Sequence, residues 1–314
     1  MMVKWFKFLG LSAMLVSASY SSASFAHHGQ SNPEAELTYP VMAVPLQPEL
    51  RFEMQIAKLN QILFQQDLTE EDKAKVYYER GRLYSNMGLH DLARLDFNQS
   101  LKISPAQPKI FNRLGVYFTQ VGEFDAAFNA FSAAIELAPE DSTPKRNKAV
   151  ALYYAGRLDL ALEEMKAHFN EDKSDPFRAL WLFIVECAVD EKSAIDNLEI
   201  AYKNKTDDWN WTLVGIALGK IDQQSAINEV IRDTANNRVM AQKLTEVYFY
   251  TAKHLKSKGK VFDAMALYKL AISLNVYNYV EHGYSFLELN RIFQEYRAAQ
   301  KKDNRNNEYV SLNQ

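Results

Sequence analysis

One cysteine, Cys187, stands in 314 residues, so no internal disulfide can staple this chain and its fold must rest on packing. It lies in LWLFIVECAVD, among apolar residues, and reads as a small buried hydrophobe rather than a reactive thiol. Glycine and proline are scarce, 11 and 9 in all, which favours helices joined by short turns over strands joined by many. Neither charge sign dominates: 36 Lys and Arg against 39 Asp and Glu leave a net charge of −3. Without a basic surplus there is no drive toward nucleic acid or anionic lipid. Catalytic signatures are missing as well, with no G-x-S-x-G and no phosphate-binding Gly-rich loop. The six histidines, His27, His28, His90, His168, His254 and His282, never stand at i, i+4, nor with a glutamate at metal-site spacing. No metal, no cofactor and no enzymatic activity are therefore expected.

What the chain does have is 47% hydrophobic residues, enough for a sizeable core. The expected class is all-α. At the start, Lys4 and Lys7 precede an apolar run at Phe8–Val16 and then Ser24-Phe25-Ala26. This reads as a secretory signal peptide over residues 1–26 with cleavage after Ala26, the run being far shorter than the roughly 20 residues of a bilayer-spanning helix. Residues 27–48 hold four prolines after Ser31 and read as an extended arm whose VMAVPL stretch docks elsewhere. Leu50, Met54, Ile56, Leu59, Ile62 and Leu63 keep helical spacing, and Thr69 before Glu70, Glu71 and Asp72 reads as a helix N-cap.

A period then emerges. Gly81, Gly115 and Ala149 stand 34 residues apart, as do Gly88, Gly122 and Gly156, Ala93, Ala127 and Ala161, and Phe97, Phe131 and Met165. This is the tetratricopeptide period, a helix pair repeated along a solenoid. The small residue on the first helix admits close crossing by the second, the second glycine ends the first helix in a left-handed cap, and the aromatic fills the gap. Units are expected at 74–107, 108–141, 142–175 and 245–278, the last carrying Ala252, Gly259, Ala264, Tyr268 and Ala271. Degenerate helix pairs fill 176–244, a capping helix follows at about 279–299, and the polar residues 300–314 read as a disordered tail. The solenoid thus spans 49–299. Trp209 and Trp211, two positions apart near a helix start, would put one ring inside and one outside.

In such a stack the first helices line a concave face able to hold an extended peptide or a helix. The inward positions of three units include Lys75, Tyr78, Arg82, Ser85 and Asn86, then Lys109, Asn112, Val116, Thr119 and Gln120, then Thr143, Arg146, Val150, Tyr153 and Tyr154. Of these, Lys75, Tyr78, Arg82, Asn86, Lys109, Asn112, Thr119, Gln120, Arg146, Tyr153 and Tyr154 form the candidate partner-binding groove. Basic, amide and aromatic groups without acids suit a peptide carrying carboxylates.

The succession YPVMAVPLQPEL, the repeats, DPFRALWLF, the WNW segment and NVYNYVEHGYSFLELN resembles the NlpI family of bacterial envelope lipoproteins, from about Val41 to Leu289. That resemblance implies a homodimeric helical scaffold in the periplasm of a Gram-negative bacterium, an adaptor holding murein endopeptidases and a tail-specific, C-terminal-processing protease. The family is tethered by a lipidated N-terminal cysteine, and this chain has Ser and Ala after its apolar run. It would then be free in the periplasm or held by an uncleaved signal. An envelope assembly or secretion factor that binds exported chains is the alternative function.

Overall fold

The computed structural model describes residues 40–312 apart from residue 66, and only the backbone of 303–312. The signal-peptide segment and the first part of the arm lie outside the described residues. Among those described, all regular structure is helical, in fourteen elements. A lone helix α1 (Leu50–Leu63) precedes six pairs: α2 (Glu70–Asn86) with α3 (His90–Ile103), α4 (Pro108–Val121) with α5 (Phe124–Leu137), and α6 (Ser142–Tyr154) with α7 (Leu158–Glu171). The series continues with α8 (Pro176–Cys187) and α9 (Glu191–Lys203), α10 (Trp211–Ala217) and α11 (Gln223–Asp233), then α12 (Asn237–Ser257) and α13 (Val261–Ser273), before a long α14 (Val280–Leu312).

Local chemistry accounts for the ends. The Thr69 hydroxyl accepts from the Asp72 N–H at 3.1 Å, and Asp175, Asp190, Asp222 and Asn236 cap α8, α9, α11 and α12 in the same way. Gly122 ends α4 at φ +81°, a conformation that costs any other L-residue about 1 kcal/mol or more. Gly88, Gly156 and Gly259 repeat this turn, and Gly219 supplies it for the degenerate α10–α11 pair.

Within pairs the small-residue positions do what their period implies. A Cβ on Gly115 would lie 2.5 Å from Phe131 Cε1, and one on Gly81 would lie 2.8 Å from Phe97 Cε1. The second helix therefore crosses the first at backbone contact, and Phe131 is wholly buried there. Burying such a ring contributes about 1.5–3 kcal/mol. Neither Trp209 nor Trp211 points outward: Trp211 is buried with Nε1 donating to Thr206 Oγ1 at 3.2 Å, and half-buried Trp209 packs on the same core under Lys243 Nζ, 4.5 Å from the ring centre.

The arm does dock, on its own chain. Val44 and Asn237 exchange two hydrogen bonds of 2.8 Å, Leu46 N–H donates to the Leu274 carbonyl at 3.0 Å, and Asn275 Nδ2 donates back to the Leu46 carbonyl at 3.1 Å. Two expectations are corrected at the other end. The polar residues from 300 onward continue α14 to Leu312, with no Gly or Pro to stop it. Nor does α14 cap the stack: it turns back to pack on α13, α12 and α4, so it lies along the inner face.

Gly115→Ala is expected to overpack the α4–α5 crossing by about 1–3 kcal/mol and lower the midpoint of thermal unfolding, followed by circular dichroism, by several degrees. Gly122→Ala, whose Cβ meets nothing within 4 Å, should cost only the left-handed backbone term of about 1 kcal/mol. Equal shifts in the two variants would remove the close-approach account.

Candidate functional site

Helices α4, α6, α8, α12 and α13 pack around α14. At Gly283 α14 packs tightly on α4: a Cβ there would collide with the Gln120 side chain. Next to it, Tyr284 is buried between Tyr154 and Trp181, with ring centres 5.3 and 6.1 Å away. Further along, Glu288 Oε1 meets Lys253 Nζ at 2.7 Å and Oε2 meets Lys256 Nζ at 3.1 Å, and Arg291 Nη1 donates to the Tyr154 carbonyl at 3.2 Å. The concave face is filled along its middle by the chain's own last helix.

The expected groove is thereby divided. Tyr78, Asn86, Lys109, Asn112 and Gln120 do converge, lining a cavity of about 320 Å³ closed on one side by the segment Tyr277–Val280. Asn112 Oδ1 accepts from Asn147 Nδ2 at 2.9 Å, so a ladder of amides runs from α4 to α6. Arg94, Arg113 and Tyr117 belong to the same cavity. The inward-position rule omits them because Arg94 comes from a second helix and Arg113 and Tyr117 fall between the inward positions. Arg94 lies over the Tyr117 ring at 5.6 Å, its Nε buried without a hydrogen-bond partner, and Tyr117 donates to Asp91 at 2.6 Å. Burial holds His90 below its ordinary value, so it adds no charge near neutrality. Lys109, Arg94 and Arg113 face a single lining acid, Asp141, whose carboxylate caps α6. The cavity is short of acceptors and rich in donors.

The other expected groove residues stand elsewhere. Thr119 is fully buried, its hydroxyl donating to the Gly115 carbonyl at 2.8 Å, and belongs to the core. Tyr154 is core as well, held by the rings of Tyr153 and Tyr284. Lys75 is exposed and bound to Glu71 at 2.8 Å, and Arg82 pairs with Glu79 at 2.8 Å, both on α2 and away from the cavity. Arg146 faces α14 across a gap of about 130 Å³ shared with Glu281 and Tyr284. Tyr153 lines a separate cavity between α8, α12 and α14. Cys187, half-buried there, is pushed up to about 12 by burial and remains a thiol.

Two carboxyls where α14 meets α12, Glu281 of the one and Glu246 of the other, oppose its seating at high pH. Glu246 is pushed up to about 9 by burial and by neighbouring Glu281, with Lys243 pulling the other way and Asp208 adding to the rise. Glu281 is raised by burial in turn, although Tyr250 donates to it at 2.9 Å and Arg146 lies close.

Tetratricopeptide repeat is the family matched by the sequence, over residues 74–107 and 108–141. Similar folds occur in the C-terminal part of a tetratricopeptide-repeat protein from Cytophaga hutchinsonii (15% identity, 71% of this chain and 90% of that one, TM-score 0.45). A tetratricopeptide-repeat protein from Parabacteroides merdae is likewise similar (14% identity, 76% and 99%, TM-score 0.46), as is PilF of Pseudomonas aeruginosa (15% identity, 73% and 99%, TM-score 0.40). The described chain is an all-α tetratricopeptide-repeat solenoid, a class built as a protein-interaction scaffold.

Because Glu246 binds its proton more tightly folded than unfolded, its stabilising contribution is complete below the unfolded value of about 4.3 and is lost as pH rises through about 9. Glu246→Gln is therefore expected to raise the thermal midpoint at about pH 8 and to change it little at about pH 4. A difference independent of pH would contradict this.

Proposed function

We propose that this chain is a non-catalytic periplasmic adaptor that holds an acceptor-rich, carboxylate-bearing segment of a partner protein in the cavity between α2, α3 and α4. The carrying observation is that cavity's donor surplus: Lys109, Arg94 and Arg113 with amides from Asn86, Asn112, Gln120 and Asn147. Amides pair with the backbone of an extended segment, and the guanidinium and ammonium groups pair with its acids. The resemblance to the NlpI family supplies the partners: a murein endopeptidase and a tail-specific protease, brought together so that hydrolase turnover governs wall growth and division. Tethering alone raises the local concentration of a substrate beside its protease to about millimolar. No nucleic acid and no cofactor enter this reading, and export by residues 1–26 would deliver the chain to the periplasm.

A homodimer belongs to the same proposal, though the arm no longer supports it, being engaged with α12 and the turn after α13. Helix α1 supports it instead. None of its residues is buried, and Leu50, Met54 and the following Phe64 are 69%, 65% and 87% exposed.

The test is an affinity pull-down from periplasmic extract with the full mature chain, read by mass spectrometry. Recovery of a murein endopeptidase together with a tail-specific protease is the expected result, and Lys109→Glu with Arg113→Glu should lower recovery of one of them about tenfold or more. Capture of nascent outer-membrane proteins without any hydrolase would favour the envelope-assembly reading. For the dimer, light scattering at micromolar concentration is expected to give twice the monomer mass, and Leu50→Asp with Met54→Asp to return it to one.

A further inference from the structure

The cavity on the far side of α14 has a chemistry of its own. It is a cleft of about 250 Å³ and shares no residue with the amide-lined one. Its floor is apolar, with Leu180, Phe183 and Ile184 of α8 continuing to Ala188, and its polar wall comes from α12 and α14. Three cations, Lys253, Lys256 and Arg291, face one carboxylate, Glu288. His254 is held below its ordinary value, chiefly by burial, and Cys187 far above its own, so neither adds charge near neutrality.

Hydrogen-bond capacity is equally lopsided. Both Glu288 oxygens are occupied, at 2.7 Å by Lys253 and 3.1 Å by Lys256. Lys253, nine-tenths buried, has a third donor beyond those given to Glu288 and to Tyr153 at 2.9 Å. Arg291 gives one of its five N–H groups to the Tyr154 carbonyl. Lys256 has, besides Glu288, only the exposed Glu295 at 3.7 Å. Counting Glu295, three cations face two carboxylates, and the Arg291 guanidinium sits beside the apolar floor with only the Tyr154 carbonyl as its partner.

We propose that this cavity binds the last residue of a polypeptide, an apolar side chain such as leucine lying on α8 with its free α-carboxylate between Arg291 and Lys253. The size agrees: a cleft of about 250 Å³, open on one side, has room for a leucine side chain and its carboxylate. Both carboxylate oxygens then find N–H donors, and the one surplus positive charge is neutralised. The site stands independently of the amide-lined cavity, so a scaffold holding one partner by an internal acidic segment would have a second seat for a chain end.

The experiment uses the full mature chain and a fluorescein-labelled Gly-Ser-Gly-Ser-Leu peptide with a free carboxylate, read by fluorescence anisotropy. Binding is expected, weakened about tenfold or more by amidation of the terminus, since one charge-assisted pair is worth that much. Arg291→Gln should weaken it by a similar factor. Ala188→Trp, a change at an exposed position beside the floor, should abolish it while circular dichroism stays unchanged. Lys109→Glu should leave it unaltered, which separates this site from the one proposed above. Equal binding of acid and amide, undiminished binding by the Ala188→Trp protein, or laurate displacing the peptide with greater affinity would each overturn the assignment, the last in favour of a fatty-acid site.

Discussion

Glu288 lies 2% exposed on the inner side of the superhelix, with burial pushing its carboxyl up and Lys253 and Lys256 together holding it down at about 2. A carboxylate placed there without both ammonium groups would cost several kcal/mol. Those two lysines stand one turn apart on α12, so the charge can be neutralised only when α14 runs along α12 in one register. From that register follow the burial of Tyr284 between Tyr154 and Trp181 and the contact of Gly283 with Gln120. The separation of the concave face into two cavities follows too. A helix in this place without Glu288 would leave Lys253 as a buried, unpaired cation, which is why the register is specified rather than merely permitted.

The same helix carries an opposing element at its first turn. Glu281 and Glu246 share a buried site in which two ionised carboxylates are disfavoured, so the packed first third of α14 is held by proton retention at its first turn and by charge pairing at Glu288, two turns on. Between these two points lies the apolar contact of Tyr284. Such a helix is pinned most firmly near Glu288 and Arg291, and the gap of about 130 Å³ at Arg146 lies toward the less firmly held end. The amide-lined cavity borders that end through Val280, whereas the α8–α12 cavity borders the pinned one through Glu288 and Arg291.

Most of the solenoid was legible in sequence because its constraints are local and recur. Gly81 and Gly115 must be small to admit an aromatic from the next helix, and Gly122 must reach a left-handed turn, so a 34-residue period shows itself without any knowledge of tertiary contacts. The candidate groove was legible only in part. Tyr78, Asn86, Lys109, Asn112 and Gln120 meet as their repeat positions imply, but Thr119, Tyr154 and Arg146 do not reach that cavity. The repeat rule assumes an open concave face, and the element that fills it is non-repeating and more than a hundred residues distant. One signal was present: Gly283 inside a strongly helical stretch, where glycine is unfavourable unless another chain segment approaches. The acid pair had no sequence signal, since Glu246 and Glu281 acquire their character only from burial.

The exchange of hydrogen bonds between Val44 and Asn237, and between Leu46 and the turn at Leu274–Asn275, joins the two ends of the repeat array. An open solenoid is nearly one-dimensional, each unit answering only to its neighbours, so that terminal units can fray independently. Here the segment before the first repeat is fastened to the last one, and a loop of about two hundred residues must close before either contact forms, at an entropic cost that grows only logarithmically with its length. The array is therefore a ring in its connectivity. Strain or loosening introduced at any one repeat is shared around it, and the two ends of the repeat array act as a single place.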